Sequence, residues 1–272
     1  MIKKELSPRR HAISVRKIER ALGKDRRIYK IEYHDRLAST NDTAKEQTAL
    51  SAANGKVIIA DTQSSGRGRM GRSFYSPAGT GIYMSVILRP ERKFSDTAGI
   101  TAFCAVCVCD AIDSLYGVSS QIKWVNDVML DEKKVCGILA EGKISPDGNG
   151  LEHVILGIGI NVAPSPFPDE IANIAASLEA FSDERPPRAR LISAILKNLS
   201  PLLSGKLPDG FMDSYRARSL ILGREVRTLS TPSVCGVAES IDGGGALLIR
   251  TPDGELHKIV AGEVSVRTTD TL

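Results

Sequence analysis

The stretch SSGRGRMGRSF, residues 64–74, sets three glycines among three arginines. Gly66-x-Gly68-x-x-Gly71 has the spacing of a dinucleotide-binding fingerprint, and Gly66-x-x-x-x-Gly71-Arg72-Ser73 is one residue short of a Walker A loop. Both motifs need a helix directly after the glycines, because the helix N-terminus holds the phosphates. Here the chain continues SFYSPAGTGIYMSVIL, with Pro77, Gly79 and Gly81 ahead of a β-rich run. Arg72 also stands where Walker A has lysine, and a planar guanidinium does not freely replace a compact ammonium. A protein-kinase glycine loop does lie between strands, but no H-R-D or D-F-G follows. What these residues support is an anion cradle. Glycines let backbone N–H groups approach an anion closely, and Arg67, Arg69 and Arg72 supply charge-assisted donors. That chemistry suits a nucleotide phosphate, a carboxylate, or the acyl phosphate that joins the two.

Three later stretches carry further polar groups in apolar surroundings. Lys123-Trp124-Val125-Asn126-Asp127 puts a lysine into an apolar strand beside the only tryptophan. Residues 134–141 read K-V-C-G-I-L-A-E, and 157–162 read G-I-G-I-N-V. Glycines at alternate strand positions leave room for another backbone or a flat ligand.

These groups need elements to hold them. Ser39-Thr40-Asn41-Asp42 supplies capping side chains ahead of TAKEQTALSAA, with Gly55 as a stop. VIIADTQ (57–63) reads as a buried strand, and GTGIYMSVILRP (79–90) as another, ended by Pro90. The pattern predicts a helix over 97–116, a strand over 121–130, a polar turn at 131–134, and strands over 134–144 and 151–162, the last two separated by SPDGNG. Such hairpin-connected strands predict a mixed or mostly antiparallel sheet. Pro164, Pro166 and Pro168 interrupt, and helices are expected at about 169–181, 187–204 and 208–218. From Leu220 the pattern changes to short strands, REVRTL, SVCGVAESID, GALLIRT and LHKIVAGEVSVRT, which suggest a small β-barrel.

A chain of 272 residues allows one large domain, or a medium one plus a small one. The net charge of +4 hides an asymmetry: residues 1–30 carry 11 Lys/Arg against 3 Asp/Glu, and the rest carries 25 against 29. The basic segment reads as a solvated, partly helical extension. The acidic body, with few aromatics near its arginines, argues against a nucleic-acid binder. No run approaches the ~18–20 apolar residues of a membrane span, and the N-terminus lacks the apolar core and cleavage pattern of a secretory signal. The expected location is cytoplasmic. Cys104, Cys107 and Cys109 form C-x-x-C-x-C inside a stretch of helical length, with no second ligand pair nearby, so buried thiols are expected rather than a metal site.

Taken in order, S-T-N, Q-x-x-G-R-G-R-x-G-R, K-W-x-N-D, K-x-x-G-I-L-x-E and G-I-G-I-N-V, the chain resembles the biotin protein ligases (biotin–[acetyl-CoA-carboxylase] ligases) over residues 28–218. The β-module that follows also fits. The resemblance implies an α+β fold: a mixed, largely antiparallel sheet with helices packed on one side, followed by a small SH3-like β-barrel. It implies a basic extension over 1–27, a biotin- and ATP-binding catalytic domain over 28–219 and the small domain over 220–272. The implied activity joins biotin to a lysine of a biotin carboxyl carrier protein. The biotin carboxylate attacks the α-phosphate of ATP, giving biotinyl-5′-AMP and pyrophosphate; the target amine then attacks the mixed anhydride and AMP leaves. Mg²⁺ accompanies ATP, but the resemblance leaves its ligands unassigned.

By the same resemblance, Lys123 is the central cation, near both the biotin carboxylate and the α-phosphate, and Arg67 and Arg69 belong to the loop that closes over the adenylate. The implied biotin-binding positions are Ser39, Thr40, Asn41, Gln63, Gly66, Arg67, Gly68, Arg69, Lys123, Gly137 and Gly159. The implied ATP or adenylate positions are Arg69, Arg72, Phe74, Lys123 and Asn161. Ser, Thr and Gln match a ureido ring, which both accepts and donates. Phe74 stands where the family often has Trp, keeping the stacking face. Val125 stands where Pro is common, and Cys136 where a small residue is usual; neither change removes a chemical group. The loop is expected to be mobile when empty and to exclude water when closed. Glu263 and Arg267 are the expected contributions of the small module to ATP or carrier engagement. A homodimer through a sheet edge is compatible with the fold. No membrane contact is expected, and no sequence-specific DNA binding, since the segment before residue 28 is too short for a winged helix-turn-helix. A lipoate or octanoate ligase shares the lysine-centred chemistry, but the intact G-R-G-R-x-G-R loop and G-I-G-I-N-V favour biotin. A non-catalytic biotin binder is disfavoured by the retained Lys123, Arg67 and Arg69.

Overall fold

In the computed structural model, which describes residues 12–89, 94, 97–260 and 262–266, seven strands make one sheet. They are β1 (Lys30–Leu37), β2 (Lys56–Gln63), β3 (Gly81–Leu88), β4 (Gln121–Lys123), β5 (Asp127–Leu130), β6 (Lys133–Ile144) and β7 (Leu151–Asn161). The helices are α1 (Val15–Leu22), α2 (Thr40–Ala49), α3 (Ala98–Tyr116), α4 (Asp169–Ala172), α5 (Arg188–Leu199) and α6 (Phe211–Ala217). The strand order is β1-β2-β3-β7-β6-β5-β4. β1 and β2 are parallel and every other pair is antiparallel. A parallel pair needs a crossover, and α2 supplies it.

Side chains alternate across a strand, and here the alternation separates two environments. Val57, Ile59, Ile82, Met84, Val86, Leu156 and Ile158 join the main core. α3 and α5 pack against that face, with α1 on α5 and α6 on α3. Ile58, Ile87 and Ile155 point the other way and pack on Ala44 of α2. The helical layer is therefore on one side as expected, except for α2, whose first turn lies on the opposite face beside the glycine-arginine loop.

Three segments differ from the sequence expectation. Residues 13–27 are not a solvated extension: Ile13, Ile18 and Leu22 are buried in the main core. Ile18 and Leu22 are four apart and share one face of α1, while Arg16, Lys17, Arg20, Lys24, Arg26 and Arg27 stay exposed. Residues 1–11 of that basic stretch lie outside the described residues. The predicted strand 121–130 is a hairpin, β4 and β5, with Lys123 opposite Asp127; its turn includes a cis Trp124–Val125 peptide. The predicted helix 169–181 is only α4 and a 3₁₀ turn at Leu178–Ala180. By length and mean hydropathy alone α3 is apolar enough to cross a membrane, but Thr101, Asp110, Asp113 and Ser114 interrupt its apolar run and most of it is buried inside the fold. Cys104, Cys107 and Cys109 lie on it, buried and free.

Five further strands, β8 (Glu225–Thr228), β9 (Cys235–Ile241), β10 (Leu247–Arg250), β11 (Leu256–Ile259) and β12 (Val264–Val266), form an antiparallel sheet in the order β11-β10-β9-β8-β12. It occupies the place of the expected small barrel. Trp124 Nε1 donates to Gly245 O at 2.9 Å and Arg216 Nε to Ile241 O at 2.6 Å, joining this sheet to the main one.

Candidate active site

The site is built on the face of the main sheet that carries α2. Ser39 has extended backbone angles and its Oγ accepts from Asp42 N at 3.3 Å, the N-cap that the sequence predicts. This cap turns Thr40 and Asn41 toward the sheet, where both are buried. Gln63 at the end of β2 accepts from Thr40 N at 2.8 Å, and its Nε2 donates to Ser76 Oγ at 3.0 Å. Both ends of the Gln63 amide are thereby fixed. Ser85 Oγ lies 2.8 Å from Thr40 Oγ1 and 2.6 Å from Asn41 Oδ1.

The sheet floor is glycine where side chains cross it. A Cβ on Gly157 would collide with Asn41 Oδ1. One on Gly159 would lie 2.7 Å from the Phe74 ring, and one on Gly137 would lie 3.1 Å from Lys134 Cε. Gly157 and Gly159 pair with Ser85 and Tyr83 of β3, so small and polar residues share one face. The Phe74 ring meets Tyr83 edge-on, with centroids 6.3 Å apart.

Lys134 reaches this floor because β6 carries a bulge. Val128 pairs with Cys136 but Met129 pairs with Lys134, so Val135 is an extra residue. A bulge of this kind re-aims the side chains beside it. Positions 134 and 137 would face opposite ways on a regular strand; here Lys134 lies over Gly137, and its Nζ is 2.7 Å from Asp127 Oδ1.

The glycine-arginine loop folds over the floor. Phe74 N donates to Gly66 O at 2.8 Å and Gly68 N to Arg72 O at 2.7 Å. Its tip, Met70 and Gly71, has φ of 54° and 76°. A Cβ on Gly66 would collide with Phe74 O, so glycine there is needed for the loop to return on itself. Each arginine has a protein acceptor. Arg67 reaches Asp42 at 2.6 Å and Glu141 at 3.5 Å, Arg69 reaches Asn126 Oδ1 at 3.1 Å, and Arg72 reaches Glu263 at 2.7 Å. The Asp42 hydrogen bond holds the Arg67 guanidinium more firmly protonated than usual.

Two spaces open along this face. The inner one is a slot of about 40 Å³, lined by Ser39, Thr40, Asn41, Gln63, Arg67, Gly137 and Gly159. The outer one is a cavity of about 350 Å³ between the two sheets, lined by Arg72, Lys123, Asp127, Asn161 and Glu263. Gly68, Arg69, Phe74, Asn126 and Lys134 line both and form the junction. Among the described residues no group of three or more His, Cys, Asp or Glu could hold a metal ion by itself.

This architecture has known counterparts. The family model described as Biotin/lipoate A/B protein ligase family matches residues 33–161, and that of the Biotin protein ligase C terminal domain matches 221–267. The chain is 37% identical over 242 residues to the bifunctional ligase/repressor BirA of Bacillus subtilis, covering 86% of this chain and 73% of that one. It is 32% identical over 244 residues to the biotin--[acetyl-CoA-carboxylase] ligase of Mycobacterium tuberculosis, covering 85% and 87%. The chain belongs to the biotin protein ligases. The solved biotin protein ligase from Aquifex aeolicus, in complex with biotin and ATP, superposes with a TM-score of 0.75 at 29% identity, covering 88% of this chain and 99% of that one.

Within this ligase the structure brings most of the sequence-predicted residues together. Ser39, Thr40, Asn41, Gln63, Arg67, Gly68, Arg69, Gly137 and Gly159 line the slot. Gly66, packed against Phe74 O and Gln63, lines neither space, and Arg72, Phe74 and Asn161 line the outer cavity. Lys123 does not reach the slot; it lines only the outer cavity. The lysine at the junction is Lys134. Glu263 faces the loop through Arg72, and Arg267 lies outside the described residues. Sequence reasoning passed over Lys134, Asp127, Asn126, Tyr83, Ser85 and Glu141. Some signal was there. Lys134 opens the K-x-x-G-I-L-x-E motif, and Tyr83 and Ser85 are alternate polar residues in an otherwise apolar strand.

Proposed function

We propose that this chain uses ATP to join biotin to a lysine of a biotin carboxyl carrier protein, through biotinyl-5′-AMP. The observation that carries this reading is the pair of spaces meeting at Arg69 and Lys134. The slot offers hydroxyl and amide groups that match a ureido ring. The outer cavity offers cations, the Phe74 ring and Asn161 for a nucleotide. The names of the relatives and the ligands of the Aquifex structure support the same pair of substrates.

The first step brings two anions together, so catalysis is chiefly positioning and charge neutralisation. Lys134 is the better-placed central cation, because it alone of the two candidate lysines borders both spaces. Arg69 lies beside it, held by Asn126. Lys123 acts further out, on the nucleotide side. Asp127, on the outer cavity wall, would hold Mg²⁺; one carboxylate together with substrate phosphates fits the habit of that ion. Its charge would offset that of the phosphates. In the second step the amine of the target lysine attacks the acyl carbon, AMP departs with the bonding electron pair, and the amine loses its proton.

Phe74 and the glycine-arginine loop border the slot, and their outward swing would admit biotin. Closing them again excludes water from the anhydride.

The test is mass spectrometry of a biotin carboxyl carrier domain incubated with this protein, ATP, Mg²⁺ and biotin. A biotin-sized gain that requires ATP is expected. A gain only in a parallel tube holding lipoate would transfer the assignment to lipoate chemistry. Bound biotin without any transfer would leave a binding protein.

A further inference from the structure

Glu141 closes the K-x-x-G-I-L-x-E motif and has no part in the chemistry above. It lies on β6, on the same face as Gly137, two alternations along the strand. Its carboxylate is an acceptor for three groups from two different elements. Asn41 Nδ2 donates to one oxygen at 2.8 Å; Lys45 Nζ at 2.7 Å and Arg67 at 3.5 Å approach the other. Asn41 and Lys45 belong to α2, and Arg67 to the loop. Asp42 is the other carboxylate facing Arg67 and lies 4.0 Å from Lys45.

These contacts fix the direction of a hydrogen-bond chain. An amide can be turned over to exchange its oxygen and nitrogen. Beside a carboxylate only the NH₂ end of Asn41 is favourable, because the reverse would set two acceptors against each other. Asn41 Oδ1 is thereby aimed at Ser85, 2.6 Å away, and accepts its hydroxyl proton. Ser85 has one proton, given to Asn41; Thr40 Oγ1, 2.8 Å from Ser85, has its own acceptor in Gln63 Oε1 at 3.2 Å. The carboxylate behind Asn41 thus orients Asn41, which lines the slot, and through it the buried Ser85. The same carboxylate is the second partner of Arg67, at 3.5 Å beside Asp42 at 2.6 Å, and with Asp42 it ties the loop down in the closed position.

We infer that Glu141 is a positioning residue that couples two events, orientation of the Asn41 amide in the slot wall and retention of the closed loop. The inference rests on the ligase reading. It assigns Glu141 an effect on biotin affinity and on escape of the adenylate, with little effect on the chemical step.

Two substitutions separate the two roles. Glu141→Gln keeps an oxygen for Asn41 but loses the charge for Arg67. Glu141→Leu loses both. For Glu141→Gln, release of biotinyl-AMP should be about threefold faster, the size of one lost, partly exposed ion pair, with KM for biotin within threefold of wild type. Glu141→Leu should show the same release rate plus a roughly tenfold higher biotin KM. In both, kcat for adenylate formation at saturating biotin should stay within threefold. Arg67→Ala with Glu141→Gln should release no faster than Arg67→Ala alone, since both remove one contact. Lys45→Met, which removes a partner of Glu141 outside the loop, should stay within twofold of wild type. Wild-type release by Glu141→Gln, or additive effects in the double variant, would overturn the coupling. Equal falls in kcat and in melting temperature for both Glu141 variants would show a merely structural residue and overturn it too. A wild-type protein that makes no biotinyl-AMP would instead remove the ligase reading, and the inference with it.

Discussion

Replacing each of two lysines by methionine decides which one is the central cation. Methionine keeps most of the aliphatic stem and removes the charge. At ~4 Å and an effective dielectric of about 20, one unit charge stabilises its opposite by about 4 kcal/mol. Each 1.36 kcal/mol is tenfold in rate, so full loss corresponds to about a thousandfold. Lys134 is 33% exposed, and solvent screening reduces the figure to about a hundredfold. Loss of Lys134 also leaves Asp127 without its ammonium partner at 2.7 Å. Lys134→Met should therefore slow single-turnover formation of biotinyl-AMP by 10²–10³ (order of magnitude). Lys123→Met, confined to the outer cavity, should slow it by about tenfold, chiefly through weaker ATP binding. The assay follows labelled AMP transfer to biotin with enzyme in excess. Melting temperature serves as the control. The Lys134–Asp127 pair is half-exposed, so its loss should cost at most about 1 kcal/mol, a few degrees for a chain of this size. If Lys123→Met loses a thousandfold while Lys134→Met keeps more than a tenth of the wild-type rate, the geometric argument fails and Lys123 holds the central place.

Gly157→Ala sets a methyl group against Asn41 Oδ1. The strain should cost about 1–3 kcal/mol, lower the melting temperature by several degrees, and weaken biotin binding at least tenfold by turning Asn41 away; wild-type affinity by calorimetry would contradict the seating of Asn41. Glu263→Gln breaks the ion pair with Arg72, whose side chain is 64% exposed, so release of biotinyl-AMP should change by less than about fivefold; a larger change would make the C-terminal sheet a principal clasp of the loop. Burial pushes the thiols of Cys104 and Cys136 well up and that of Cys109 to about 12. Thiolate, the reactive form, is then scarce at pH 8, and native protein should take one iodoacetamide label, at half-buried Cys235, against five in urea. Fast labelling of Cys104, Cys107 or Cys109 before unfolding would mean that α3 is less deeply packed than described.

The residues that sequence reasoning placed well share one property: their role is local. The Ser39 cap, the glycine pattern of β7 and the loop bounded by two strands follow from backbone requirements read within a few residues. What it missed depends on relations between distant segments. The first thirty residues look like a charged arm because eleven basic side chains dominate the composition, yet two apolar residues four apart suffice to bury one face of α1 against α5. The run QIKWVNDVML reads as one strand because it lacks the Asn-Gly or Gly-Gly that marks a tight hairpin; the turn is made instead by Trp124, Val125 and Asn126, with the indole tied to Gly245 in the other sheet. The choice of Lys123 over Lys134 follows from the same limit. Both lysines stand in motifs of the family, and a motif fixes residue type and order but not which face of a sheet a side chain occupies. That is settled by pairing register, where one extra residue flips everything beyond it. Val135 is that residue. Without the bulge, Lys134 would point into the core with Cys136 and Ile138, where no ammonium could stay charged unpaired, and no lysine would lie over Gly137. The register shift between β5 and β6, invisible in the one-dimensional pattern, is thus the feature of this fold on which assignment of the site most depends.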